Sequence, residues 1–202
     1  MAKTLLFFDT ETTGLCTDWK ISPKKNPDNW PRLVQLAYIQ TDGSGKILKE
    51  GNFIIKPDGF EVPQSASDVH GITTDIATQQ GQDIALVLNF FEQIVAESDA
   101  VIGHNISFDN NVILGEYYRN GIETSLDKVR PPKYCTMKGS LGYCKILNKN
   151  KKGYKYPKLS ELHEKLFGVN FENAHDARSD VAATKKCFFQ LIMEGISFKK
   201  IY

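Results

Sequence analysis

Leu5-Leu6-Phe7-Phe8-Asp9-Thr10-Glu11-Thr12-Thr13-Gly14, close to the amino terminus, combines an apolar run with two carboxylates inside ten residues. Four consecutive apolar residues bounded by turn-type residues read as a fully buried strand, so the carboxylates are expected where that strand leaves the core. Asp9 and Glu11 are two apart, which on an extended chain points both side chains to one face. Like charges held side by side repel unless something cationic lies between them. A divalent metal fits that need: Mg²⁺ takes oxygen ligands, typically one or two carboxylates plus a substrate phosphate, and phosphoryl chemistry is the first hypothesis. From this stretch alone a solvated strand end stands as the alternative.

The rest of the composition narrows the class. A chain of 202 residues is long enough for a substantial core, and its 41% hydrophobic and 24% charged fractions are those of an ordinary soluble globular protein. No terminal apolar stretch approaches membrane-spanning length, and Met1-Ala2-Lys3-Thr4 runs straight into the first strand without a signal-peptide pattern. A cytoplasmic, single-domain protein with no membrane partner is therefore expected. Cys16, Cys135, Cys144 and Cys187 form no C-x-x-C pair, which suggests reduced thiols rather than disulfides or a zinc site.

A net charge of +1 argues against coating nucleic acid through bulk electrostatics. A local basic groove is still compatible with it. Lys145, Lys149, Lys151, Lys152, Lys155 and Lys158 crowd the loop over 145–158, with Tyr154 and Tyr156 interleaved. Such a mixture suits a polyanion with stackable bases, or simply a solvated surface.

Cys16 to Pro31 is polar and rich in proline, a loop able to overhang the Asp9/Glu11 region. Its Trp19 and Trp30 could stack on a base or pack the loop down onto the domain. Arg32 to Thr41, with Val34, Leu36 and Tyr38 alternating against Gln35 and Gln40, and Ile47 to Lys56 read as strands. Asp42-Gly43-Ser44-Gly45 turns one into the other as a hairpin, giving an opening meander of three strands. Pro63 to Gln82 suggests short helices and turns, with His70 preceding Gly71 at the end of one of them.

From Asp83, Ile84, Val87, Leu88, Phe91, Ile94 and Val95 follow the spacing of an amphipathic helix. Ala100-Val101-Ile102-Gly103 is then a short buried strand, and Ser107 can cap a helix carrying Asp109, Val112, Ile113 and Tyr117. Helix, strand and helix in succession indicate a parallel strand beside the first, with the site beyond the carboxyl ends of both. Lys133 to Met137 reads as a last short strand, and Leu159, Leu162, Leu166 and Phe167 as a helix stopped by Gly168. A final helix begins near Asp176, with Val181, Thr184, Phe188, Leu191 and Ile192 as its core face. His175 stands just before it and Asp180 one turn inside, so both can aim at one point.

Singly, each of these carboxylates has an ordinary structural explanation. Together, Asp9-Thr10-Glu11-Thr12-Thr13-Gly14, His104-Asn105-Ile106-Ser107-Phe108-Asp109 and His175 through Asp180 resemble, in order, the three motifs of the DEDDh 3′-5′ exonuclease superfamily. That superfamily includes proofreading epsilon subunits, ribonuclease T and oligoribonuclease. Val69-His70-Gly71-Ile72 resembles a further short motif that many members carry between the first two. A histidine five residues before the last aspartate separates this branch from the one that uses a tyrosine.

The resemblance implies an α/β, ribonuclease-H-like fold, a mixed five-stranded sheet flanked by helices. It implies two divalent ions, Mg²⁺ or Mn²⁺, held by Asp9, Glu11, Asp109 and Asp180, with His175 as the general base for the attacking water. It also implies that Thr10, Thr12, Thr13 and Gly14 hold the terminal nucleotide, that Leu15 wedges against its base, and that His70, Asn105 and Phe108 complete the pocket. The expected substrates are single-stranded or frayed 3′ ends of DNA or RNA, and a DNA polymerase subunit is a possible partner. An RNA-trimming exoribonuclease and a catalytically silent nucleic-acid-binding module are the rival readings. The loop over 16–31, longer than in the plainest members, and the lysine-rich loop are departures outside the motifs.

Overall fold

The apolar run at the amino terminus forms the central strand, β1 (Thr4–Thr12), in a computed structural model that describes residues 3–128 and 131–201. Met1 and Ala2, expected to lead directly into this strand, lie outside the described residues. Leu6, Phe7 and Phe8 are fully buried because β1 is covered on both faces. On one side it pairs antiparallel with β2 (Leu33–Asp42), which pairs antiparallel with β3 (Ile47–Ile54). On the other it pairs parallel with β4 (Ala100–Gly103), and β4 pairs parallel with β5 (Lys133–Cys135). The result is a mixed five-stranded sheet in the order β3-β2-β1-β4-β5, as expected.

Alternation along β1 assigns its neighbours. Leu6 and Phe8 face α3 (Ile84–Ala96) and α4 (Ile106–Arg119), in a core with Leu36, Val101, Phe91, Val112 and Tyr117. Phe7 faces the other way, onto Val181 and Phe188 of α8 (Ala177–Met193). By the same period of two, Asp9 and Glu11 fall on the α8 side and Thr10 on the α4 side. Short helices α1 (Gln64–His70) and α2 (Thr74–Gln80) cover β2 near Val34. After β5 come α5 (Thr136–Gly139), α6 (Leu141–Cys144) and α7 (Leu159–Phe167), the last packed on α8 through Leu162, Cys187 and Leu191.

Four expectations are corrected. Asp9 and Glu11 do not follow the end of β1: the strand continues through Thr12, and the carboxylates lie within it, beyond the end of β4. Ser107 is not the cap of α4. That position belongs to Asn105, in the left-handed conformation (φ 65°), and the Phe108 N–H closes the first turn onto the Asn105 carbonyl at 2.8 Å. The last strand stops at Cys135, because Thr136 and Met137 already open α5. Ile192 is exposed, since the buried stripe of α8 passes through Thr184, Phe188 and Leu191 and turns it outward.

All four cysteines are free. Among the described residues no helix is long and apolar enough to cross a membrane.

Candidate active site

The unequal lengths of β1 and β4 create the site. Parallel pairing between them ends at Phe7 and Ile102, while β1 continues five residues further along β2. The edge of β1 facing the missing continuation of β4 therefore needs another acceptor, because an unpaired backbone N–H is costly when buried. Asp109, buried in the first turn of α4, supplies it: its Oδ1 accepts from the Thr10 N–H at 3.1 Å and from the Thr10 hydroxyl at 2.7 Å. This is how a carboxylate from the α4 layer reaches a site whose other members lie on the α8 side.

Across from it, α8 presents Asp180 one turn inside its start. A carboxyl oxygen of Glu11, one of Asp180 and a ring nitrogen of His175 all lie within 4.8 Å of one another. The His175 N–H donates to Asp180 Oδ2 at 3.3 Å, and Asp180 Oδ1 is buried without a hydrogen-bond partner. The approach to α8 bends through two left-handed residues, Asn173 (φ 55°) and His175 (φ 72°). A left-handed backbone costs a residue with a Cβ roughly 1–2 kcal/mol, so this turn is held by its surroundings.

Electrostatics mark the cluster. Burial, and then Asp109, Asp180, Glu11 and Asp176, hold the Asp9 carboxyl well above the usual carboxylate range. Burial and then Asp180 push Glu11 up to about 8. Burial raises Asp109 to about 7 against the opposing bonds from Thr10, and raises Asp180 to about 6 against His175. Carboxyl groups this close cannot all ionise cheaply without a cation. Their hard oxygens and the unpartnered Asp180 Oδ1 match what Mg²⁺ or Mn²⁺ accepts.

The remaining expected residues surround this cluster unevenly. His70 ends α1, its Nδ1 accepting from the Ile72 N–H at 3.1 Å; burial lowers its pKa, and His175 lies near enough to lower it further. The Thr12 hydroxyl donates to the Gly14 carbonyl at 2.7 Å, and Thr13 Oγ1 accepts from the Arg32 N–H at 2.9 Å, so both threonines build the turn after β1. Gly14 takes φ 147° there, and Leu15 is 84% exposed. Phe108 is half-buried beside Trp19 and Trp30. In the lysine-rich loop, Tyr154 and Tyr156 are exposed, while Lys155 is committed to Glu161 at 2.6 Å.

Three residues in or near the site were given no role in it from the sequence. Gln35, buried on β2 opposite Glu11, donates from Nε2 to Asp176 Oδ1 at 2.9 Å and accepts at Oε1 from the Ala177 N–H at 3.2 Å. Asp176, the cap of α8, is a fifth carboxyl group near enough to raise Asp9 and Glu11. The one available signal was a polar residue inside an otherwise apolar strand. His104 is fixed between the Thr136 hydroxyl at 2.9 Å and the Pro157 carbonyl at 3.0 Å. Burial lowers its pKa to about 4, so the ring is neutral, and because a carbonyl only accepts, the proton sits on Nε2. It ties the turn after β4 to the root of the lysine-rich loop.

Comparison with known proteins agrees with this architecture. The model of the exonuclease family, RNase_T, matches residues 6–188. The chain is 25% identical over 188 residues to the DNA polymerase III PolC-type of Lacticaseibacillus paracasei, a match covering 93% of this chain and 11% of that protein. It is 26% identical over 199 residues to exodeoxyribonuclease I of Buchnera aphidicola, covering 89% of this chain and 37% of that one. The chain thus spans a minor part of the length of the curated relatives it matches. Exonuclease I of E. coli, solved in complex with a dA16 oligonucleotide, superposes with a TM-score of 0.75 at 24% identity, over 95% of this chain and 41% of that one. At that identity the likeness is one of fold.

Proposed function

Because the chain belongs to the exonuclease family, we propose that residues 1–202 act as one domain that hydrolyses phosphodiester bonds from the 3′ end of a nucleic acid, DNA in preference to RNA. Nucleoside 5′-monophosphates are released one at a time. The preference for DNA rests on the names of the relatives, an exodeoxyribonuclease and DNA polymerases, which also favour a role in repair or beside a polymerase. A cytoplasmic setting fits the four free thiols.

The observation that carries this reading is the convergence of Glu11, Asp180 and His175 within 4.8 Å, beside Asp9 and Asp109, in a cluster that raises its own carboxyl pKa values. In this reading Asp9, Glu11, Asp109 and Asp180 hold two Mg²⁺ or Mn²⁺ ions. When bound, such a pair stabilises both the attacking and the leaving oxygen of an in-line displacement at phosphorus. Thr10 fixes the Asp109 carboxyl through two donors to Oδ1, holding in place a group that would help bind the ions. His175, exposed beside the cluster, takes the proton of the attacking water, a role suited to an imidazole near neutral pH. Thr10, Thr12, Thr13 and Gly14 position the terminal nucleotide, with Leu15, His70, Asn105 and Phe108 around its sugar and base. The turn after β1, pinned through Thr12 and Thr13, offers a rigid edge for that purpose.

The test is incubation with 5′-labelled single-stranded DNA and RNA of one sequence, in Mg²⁺, in Mn²⁺ and in chelator, beside Asp180→Asn. The expected result is a metal-dependent ladder shortening from the 3′ end, stronger on DNA and abolished by the substitution. Binding without cleavage under either metal would refute the enzyme and favour a silent binding module. A ladder stronger on RNA would refute the stated preference.

A further inference from the structure

We propose that Trp19, on the loop between β1 and β2, is a stacking platform for a base of single-stranded nucleic acid lying upstream of the 3′ end. The proposal rests on the functional reading above and names a contact that reading does not use. The two tryptophans of this loop have opposite fates. Trp30 is 2% exposed and belongs to the core, whereas Trp19 is 54% exposed. Trp19 is nevertheless held in place: its ring meets Trp30 edge-on at 5.3 Å and leans on Phe108 at 5.9 Å between centroids. Phe108 immediately precedes Asp109, so this aromatic group rests on the first turn of α4, the turn that carries one of the carboxylates.

The loop itself is rigidly braced. Asn29 accepts from the Asp18 N–H at 3.0 Å and donates to the Asp18 carbonyl at 2.8 Å, and the Trp30 indole donates to the Ile21 carbonyl at 2.9 Å. From α4, Arg119 Nη2 donates to the Pro27 and Trp30 carbonyls, each at 2.6 Å. A large aromatic residue fixed with one side in water contributes little to folding from that side. It does present a flat surface at low entropic cost of binding, since the ordering is already done.

The charge beside it selects the occupant. Trp19 lines a cavity of ≈ 410 Å³ whose exposed charges are Lys24, Lys128 and one acid, Asp127; Lys133, also in its lining, is buried and donates to the Lys128 carbonyl. Lys24 and Asp127 pair at 3.6 Å with both side chains well exposed, so this pair is weak and a phosphate can displace it. Net positive charge next to an open aromatic face is the arrangement that holds unpaired strands, with bases on the ring and phosphates on the exposed Lys24 and Lys128. A base already stacked within a duplex has no free face to offer, so the platform favours single strands.

Binding is read by fluorescence anisotropy of a labelled thymidine hexanucleotide in chelator, where no cleavage is needed. Relative to the wild type, Trp19→Ala is expected to weaken the hexamer about tenfold, and Trp19→Phe, which keeps a ring, to stay within about threefold. Intrinsic tryptophan emission is expected to be quenched by the hexamer in the wild type and not in Trp19→Phe. Equal affinity of Trp19→Ala and wild type, equal damage by both variants, or no hexamer binding by the wild type overturns the proposal. Trp19-dependent binding by a wild type that cuts nothing in Mg²⁺ supports the platform while refuting the nuclease.

Discussion

Gln35 on β2 and Asp176 at the start of α8 are joined by a hydrogen bond of 2.9 Å, with the Gln35 Oε1 turned to the Ala177 N–H at 3.2 Å. One buried amide thereby grips the end of the helix that carries Asp180 and the turn that carries His175. A third bond, from Nε2 to Asn52 Oδ1 at 2.9 Å, fixes the amide from β3.

Removing that grip loosens the site without emptying it. Gln35→Leu is expected to lower kcat about tenfold and to weaken Mg²⁺ binding, with KM for a short oligonucleotide little altered, the scale of one or two lost hydrogen bonds. Gln35→Glu is expected to be worse, because it sets a negative charge against Asp176 and the carboxylate cluster. Kinetics across a Mg²⁺ titration check both; a Gln35→Glu enzyme more active than Gln35→Leu contradicts the account.

Stability of the metal-free protein is expected to fall as pH rises from about 4 to about 8. Asp9, Glu11, Asp109 and Asp180 all have carboxyl pKa values raised by folding, Glu11 to about 8. The native state then binds more protons than the unfolded chain across that window, and the stability it holds at low pH is lost as these groups ionise. Thermal melts in chelator measure the slope. Glu11→Gln should flatten it, and Mg²⁺ should raise the melting temperature more at pH 8 than at pH 5.

Glu116 offers a purely structural counterpart. Its side chain is fully buried, with Oε1 accepting from Arg32 Nε at 2.9 Å and from the Leu33 N–H at 3.0 Å, while Arg119 pairs with it at 3.1 Å. Glu116→Ala takes the shared acid from two partly buried cations and the acceptor from the Leu33 N–H, and should cost about 3 kcal/mol, or roughly 6–12 °C in melting temperature. Loss of stability is the readout; an unaltered melting temperature contradicts it.

Thr10→Val removes the hydroxyl donor to Asp109 and keeps the backbone one. The Asp109 carboxyl should rise further, moving the acid limb of the pH–rate profile upward and weakening metal affinity about fivefold. An unshifted limb would mean that the hydroxyl does not tune this carboxylate.

Much of this was legible from residue order, because it rests on local periodicity. The apolar run of β1, the three-and-four spacing of α3 and α8, and the acidic residues after that run and in the first turns of α4 and α8 announce an α/β sheet with its charges gathered at one end. That these groups gather at one end of the sheet was also legible, from strand order and from the resemblance; how they are brought together was not, because it depends on where strands stop relative to one another. β4 ends at Gly103 while β1 continues to Thr12, and only that difference bares the edge that Asp109 caps. The job of Gln35 was hidden, and so was which of Trp19 and Trp30 packs the loop down and which faces water: burial and partners belong to surfaces brought together from distant parts of the chain, which local pattern cannot encode. The sequence by itself determined which elements form and which residue types carry charge to their ends. The tertiary structure alone decided which of those groups meet, which face water and how far each pKa moves, since desolvation and facing charge exist only once the layers have packed.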